Sequence, residues 1–182
     1  MAVIPGGNNL INAKKVLERA GVTNNMKVGD FGCGGVGHFS LMAGELVGER
    51  GVVYAVDILK TVLSGVKERA KTRGLDNIKT VWSNLEVFGA TKIEDASLDI
   101  GFLINILFQT KKDAEIIKEC ARMIKVGGKI LVIDWNKDPG FGPAVHDRVD
   151  VDEIRRIFKD LGFREMESFE AGKHHWAMVF VK

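Results

Sequence analysis

Lys27-Val28-Gly29-Asp30-Phe31-Gly32-Cys33-Gly34-Gly35-Val36-Gly37 is the stretch whose reading decides the fold. Lys27 to Phe31 reads as a strand, and the glycine cluster follows it without a break. Phe39, Met42, Ala43, Leu46 and Val47 then recur at helical spacing. A strand, a glycine loop and a helix in this order put backbone N–H groups and a helix N-terminus at the carboxyl edge of a parallel sheet, where open α/β folds bind ligands. Glycines suit such a loop because a side chain would hold the ligand away and because tight turns use positive φ.

Outward from that loop, strand and helix periods alternate. Upstream, Asn12 to Ala20 reads as a short helix stopped by Gly21. Downstream, Val52 to Val56 is a fully apolar run, as in a strand covered on both faces. Lys60 to Arg73 is helical, Ile78 to Trp82 is a strand, and Leu98 to Ile104 is another. A helix is expected from about Lys111 to Lys125, with Ala114, Ile117, Ala121 and Ile124 inward. Gly127-Gly128 should then break the chain before a strand from Lys129 to Trp135. Asp138 to Pro143 reads as a surface loop. Asp150 and Glu153 form a capping-box pattern ahead of Ile154, Ile157, Phe158 and Leu161, and Gly162 ends that helix. Phe163 to Ala171 and His174 to Val181 are extended runs separated by Gly172-Lys173, a hairpin signal that makes the last two strands antiparallel. The expected fold is α/β: a doubly wound, seven-stranded, mostly parallel sheet with a C-terminal antiparallel hairpin and helices on both faces.

Length and composition agree with one domain spanning 1–182, in which 1–12 is a short N-terminal arm able to act as a lid. The 182 residues are 46% hydrophobic and 27% charged, which excludes a disordered or collagen-like chain. A net charge of +2 is no electrostatic footprint for nucleic acid. Cys33 and Cys120 are too few for a disulfide framework or a zinc site, and no metal is expected. The start lacks a signal-peptide pattern, and the most apolar segment, Leu98 to Phe108, is far short of a membrane span. The expected setting is cytoplasmic, with no membrane partner.

The chemistry follows from two acids. Gly32, Gly34 and Gly37 satisfy the dinucleotide fingerprint, and Asp57, twenty residues after Gly37, suits a carboxylate holding both ribose hydroxyls of a nicotinamide or adenosyl cofactor. Asp30 separates these options: so close to the loop its charge would repel a pyrophosphate and favour a cationic sulfonium. The terminal hairpin also departs from an all-parallel dinucleotide sheet. Both features favour S-adenosylmethionine, with S-adenosylhomocysteine as product.

The order of segments resembles the class I, Rossmann-like SAM-dependent methyltransferases from about Asn12 to Lys182. Val28 to Gly34 resembles their first motif and Val53-Tyr54-Ala55-Val56-Asp57 their second. Leu98 to Phe108 is similar to the fourth-strand motif, and Ile124 to Val132 to the segment leading into strand five. Among these enzymes the pattern looks most like the small type 11, ubiquinone/menaquinone-methyltransferase-like members. The resemblance implies methyl transfer by in-line displacement. It implies a cofactor site formed by Asp30, Gly32, Cys33 and Gly34, by Asp57 and Ile58, by Asn84 and Leu85 at the adenine, and by Asn105 toward the methyl end. Two positions depart from the pattern: Val36 stands where the third glycine is usual, and Ser83-Asn84 where an acid often follows the third strand. Asn105 is followed by Ile106-Leu107-Phe108, not by the Pro-Pro-aromatic of amino-methylating relatives.

No catalytic base is assigned. His38 reads as a helix-start surface residue, His146 as a loop residue near the acceptor side, and His174 and His175 as a satisfied surface pair opening the last strand. Trp135 is expected to be partly buried, where it can border an acceptor pocket. A small-molecule acceptor is expected, with a protein or RNA acceptor and the oligomeric state left open. The rival readings are an NAD(P)-dependent oxidoreductase, which the glycine spacing and Asp57 would also suit, and a non-catalytic binding module of the same fold.

Overall fold

A computed structural model describes residues 10–138 and 140–182. The expected arm and lid, 1–12, therefore lies outside the described residues except at Leu10, Ile11 and Asn12, as does Pro139 of the surface loop.

Seven strands form one sheet: β1 (Lys27–Phe31), β2 (Val52–Asp57), β3 (Ile78–Trp82), β4 (Leu98–Ile104), β5 (Ile124–Trp135), β6 (Arg164–Gly172) and β7 (His175–Val181). Their order is β3-β2-β1-β4-β5-β7-β6, parallel from β3 to β5 and antiparallel in the β5–β7–β6 part. This is the expected architecture. The order reverses at β1, between β2 and β4, and such a switch point opens a crevice at the carboxyl ends of the strands.

Helices cover both faces. On one side, α1 (Ala13–Ala20) and α2 (His38–Val47) bury Leu17, Ala43 and Val47 against Val28, Val53, Phe102 and Leu131. Beside them α3 (Lys60–Thr72) closes a smaller cluster of Leu63 and Val66 on Ala55 and Cys33. On the other side, α4 (Asp113–Met123) and α5 (Val151–Asp160) pack Ile117, Cys120 and Phe158 onto Phe31, Leu103 and Phe180. Asn12 caps α1 by accepting from Lys15 N (3.0 Å), and Asp150 caps α5 by accepting from Asp152 N (2.9 Å).

Several boundaries differ from the sequence expectation. Helix α4 is shorter at both ends, Ala114 is exposed, and Ile116, Cys120 and Met123 take inward places beside Ile117. Ile124 already belongs to β5. Gly127-Gly128 does not end that element but bulges within it: Leu98 pairs with Ile124 and Ile100 with Lys129, while Gly127 N and Gly128 O bond to Lys182. The hairpin turn is Lys173-His174, one residue later than expected, and Gly172 stays in β6 opposite His175. Gly172 is not a turn glycine; a side chain there would run into the carbonyl oxygen of Leu10.

Two strand glycines have a packing reason. Gly29 on β1 and Gly101 on β4 are register partners, and the Phe31 ring lies across both. A Cβ on Gly101 would come 2.6 Å from Phe31 Cε2, and one on Gly29 2.7 Å from Cζ. Gly101→Ala is therefore expected to destabilise the protein by about 1–3 kcal/mol through overpacking. The midpoint of urea unfolding should fall while the slope stays unchanged.

Candidate functional site

The carboxyl ends of β1 to β4 enclose a cavity of about 400 Å³, within the roughly 300–1,000 Å³ usual for small-ligand pockets. Its floor is the β1–α2 loop. Gly32, Gly34 and Gly37 have φ of +78°, +67° and +61°, so positive-φ geometry is used at all three. A side chain on Gly32 would strike Ile106, and one on Gly37 would meet Val66. Among the described residues nothing lies within 4 Å of a Cβ on Gly34 or Gly35, so those two glycines face the cavity. Gly32 N and Cys33 N bond to Val56 O at 2.8 and 3.0 Å, and Arg69 Nη1 bonds to Gly35 O at 2.8 Å, fixing the loop from both sides.

Asp57 ends β2 at the cavity wall. Its Oδ2 accepts from Gly34 N (3.2 Å) and its Oδ1 from Leu59 N (2.9 Å), so one carboxylate joins the glycine loop to the β2 end. Each carboxylate oxygen can accept further bonds. Ile58 and Leu59 follow as an exposed apolar lip, 53% and 57% exposed, and Trp82 braces it through Nε1 to Ile58 O (2.8 Å). After β3, Asn84 Oδ1 accepts from Glu86 N (3.0 Å), leaving its NH₂ group as the donor it can offer, and Leu85 is buried beneath.

Of the residues expected at the cofactor, Gly32, Gly34, Asp57, Ile58, Asn84 and Leu85 line this cavity together. Asp30, Cys33 and Asn105 do not. Strand alternation turns Asp30 toward α2, where it is 2% exposed and accepts from Ser40 Oγ (2.5 Å). Burial raises its pKa to about 6 against the Ser40 hydrogen bonds, with the Asp57 charge adding to the rise. Cys33 points into the Ala55–Val66 cluster, and burial together with Asp30 and Asp57 pushes its thiol up, so it stays protonated. Asn105 adopts φ +53°, its backbone N–H bonds to Ile133 O (2.8 Å), and its Oδ1 is buried.

The sequence reading missed the outer wall. Glu86 joins two loops at the cavity, accepting from Thr110 Oγ1 (3.1 Å) and Lys112 Nζ (3.0 Å). Gln109, Thr110 and Ile116 also line it. Behind the β3–β4 segment, the buried Glu119 accepts from Gly89 N (2.7 Å), Thr91 N (2.9 Å) and Arg122. Burial opposes its ionisation, but these bonds bring Glu119 down to about 2. Apart from Arg122, three residues on from Glu119, these partners sit 24–30 residues apart in the chain, and no local motif announces them.

The histidines need correcting. His175 is no surface residue: it is 0% exposed, and burial lowers its pKa to about 4. The one-residue shift of the turn leaves His174 in the connection and puts His175 on the strand, pointing inward opposite Trp135. Trp135 is buried as well, not partly exposed. His38 does open α2, with its Nε2 buried, while His146 is exposed.

A glycine-floored cavity at the switch point of such a sheet, with a carboxylate at the end of the second strand, defines a nucleoside-binding α/β domain of the methyltransferase class. The chain belongs to the methyltransferase domain family, whose model matches residues 22–170. The ubiquinone/menaquinone biosynthesis C-methyltransferase UbiE of Shewanella woodyi is 34% identical over 126 residues, covering 66% of this chain and 47% of that protein. The chain thus spans about half the length of the curated relatives it matches. A SAM-dependent methyltransferase from Aquifex aeolicus superposes with a TM-score of 0.86 at 25% identity, covering 96% of this chain and 92% of that one. The cyclase SpnF shares the fold, with a TM-score of 0.77 at 14% identity over 93% of this chain and 80% of its own. Among the described residues, no helix is long and apolar enough to cross a membrane.

The raised pKa of Asp30 has a thermodynamic consequence. The folded state holds this proton more tightly than the unfolded chain, whose aspartate titrates near 3.8. That stabilisation is complete below the unfolded value and is lost as pH rises through about 6. Asp30→Asn, measured by thermal unfolding, is expected to gain stability relative to the natural chain between pH 4 and pH 7.5. A constant difference across that range would contradict the assignment.

Proposed function

We propose that the chain transfers the methyl group of S-adenosylmethionine to a small-molecule acceptor, with residues 1–182 acting as one catalytic domain in the cytoplasm. The observation that carries this reading is the Asp57 carboxylate set against open space over Gly34 and Gly35 in a cavity of small-ligand size. The residues present suit an adenosyl ligand. Asp57 would take the ribose hydroxyls through charge-assisted bonds. Gly32 and Gly34 would allow close approach of the backbone, with Cys33 holding the loop. Ile58 and Leu85 would cover the adenine, and the Asn84 amide would donate at its edge. Asp30, behind the loop, would favour a cationic ligand through space, and Asn105 would stand toward the methyl end.

When bound, the sulfonium supplies an already activated methyl group and leaves as S-adenosylhomocysteine. What remains for the chain is orientation and exclusion of water, which together can lower a barrier by about 7–11 kcal/mol. The apolar lip of Ile58 and Leu59 and the Glu86–Thr110–Lys112 contacts serve the second task. A small acceptor is supported by the ubiquinone/menaquinone C-methylation for which the UbiE relatives are named and by the near-balanced net charge, which disfavours unaided binding to a phosphate backbone. The free thiols of Cys33 and Cys120 suit a reducing compartment.

Calorimetry tests this reading. S-adenosylmethionine and S-adenosylhomocysteine should both bind, and Asp57→Ala should weaken each by about 10- to 100-fold, the loss of a hydrogen bond to a charged group. Binding of NADH with no affinity for the adenosyl pair would overturn it.

A further inference from the structure

The cavity wall after β3 is backed by a buried polar chain that starts on α4. Arg122 donates to both oxygens of the Glu119 carboxylate, Nε to Oε2 at 3.0 Å and Nη2 to Oε1 at 2.8 Å. It also donates to the carbonyls of Thr91 (3.0 Å) and Ile93 (3.1 Å). Glu119 is 0% exposed and accepts the amides of Gly89 and Thr91 as well. The Thr91 hydroxyl lies 2.9 Å from that of Ser83, and both residues are buried. Ser83 N in turn donates to Asp57 O at 3.1 Å, and Ser83 lines the cavity. A buried anion on α4 is thereby joined, through two hydroxyls, to the wall beside Asp57.

This chain of groups has a direction. A carboxylate only accepts, and Glu119 is kept ionised by Arg122, by the amides of Gly89 and Thr91 and by the Thr91 hydroxyl. The Thr91 O–H therefore points at Glu119, and its oxygen is left to accept. A hydroxyl carries one proton, so Ser83 is the donor in the Ser83–Thr91 bond. Ser83 Oγ can then offer a ligand only lone pairs. At the next residue the polarity is reversed: Asn84 Oδ1 is occupied by Glu86 N, so the Asn84 side chain offers N–H. An acceptor followed by a donor matches the edge of adenine, whose 6-amino group donates and whose neighbouring ring nitrogen accepts. A 6-oxo purine mismatches both atoms, and mispaired polar groups in a binding site are costly.

We propose that Glu119 is a positioning residue for base recognition: acting through Thr91, it makes the Ser83 hydroxyl an obligate acceptor for the adenine 6-amino group. The proposal rests on the adenosyl reading of the cavity and deepens it by naming what selects the base.

Calorimetry of the full chain with S-adenosylhomocysteine and its 6-oxo counterpart, S-inosylhomocysteine, tests it. The natural chain should prefer the adenosyl ligand by about 10- to 100-fold. Thr91→Val removes the relaying hydroxyl at nearly equal volume and frees the Ser83 proton to turn. The preference should then shrink to within about threefold, with the adenosyl ligand bound about tenfold more weakly. Thr91→Ser keeps the hydroxyl and should keep the preference, whereas a role in packing alone would make Ser the worse replacement. Glu119→Gln should lower the preference too; if that variant does not fold, the Thr91 pair still decides. Equal affinity for the two ligands in the natural chain, or an unchanged preference in Thr91→Val, would overturn the proposal and leave the adenosyl reading standing. Failure of both ligands to bind the natural chain would overturn that reading, and the proposal with it.

Discussion

One carboxylate holds the candidate site together. Asp57 receives the amide of Gly34 on one oxygen and that of Leu59 on the other, so the glycine loop leaving β1 and the segment leaving β2 are pinned to the same group. A carboxylate is strong enough for this because hydrogen bonds to a charged acceptor are worth about 1.5–3 kcal/mol, more than neutral ones. It also remains incompletely satisfied, since each oxygen has a further lone pair. The group that shapes the cavity is thus the one left with capacity to bind what enters. Loop geometry and the cavity wall both depend on that carboxylate.

The parts of this arrangement written locally in the sequence were legible there. Gly32, Gly34, Asp57, Ile58, Asn84 and Leu85 each sit directly after a strand that periodicity identifies, and all of them reach the cavity. Asp30 and Cys33 lie in the same motif but turn away from it, for reasons the motif does not contain. Ser40, a full ten residues on, claims the carboxylate of Asp30, and the Ala55–Leu63–Val66 cluster claims the side chain of Cys33. The outer wall was not legible at all. Glu86 meets Thr110 and Lys112, and Glu119 meets Gly89 and Thr91, only because the fold brings distant segments together. The hairpin shows the same limit: Gly172 reads as a turn residue, yet the close carbonyl of Leu10 is what requires a glycine, and the turn moves on by one. That shift leaves His174 in the connection, while His175 lies inward because it shares a strand face with the buried Ala177 and Val179.

Fold alone does not set the chemistry of such a domain. The cyclase SpnF shares this architecture at 14% identity, as expected when function resides in sites grafted onto common frameworks. In this chain the two halves of the sheet edge differ in kind. Over β1 to β3 there are glycines, a carboxylate and an apolar lip around one cavity. Over β4, β5 and β7 there are aromatic rings and buried polar atoms without hydrogen-bond partners among the described residues. Ile106 and Phe108 stand between the halves, so the β4 loop is the element through which they meet.

The most direct measurement is a crystal structure of the chain with S-adenosylhomocysteine. Both ribose hydroxyls should lie within hydrogen-bond distance of the Asp57 carboxylate, with the nucleoside over Gly34 and Gly35. The same ligand lodged elsewhere on the sheet edge, with Asp57 bonded only to its own backbone neighbours, would contradict the role given to that carboxylate.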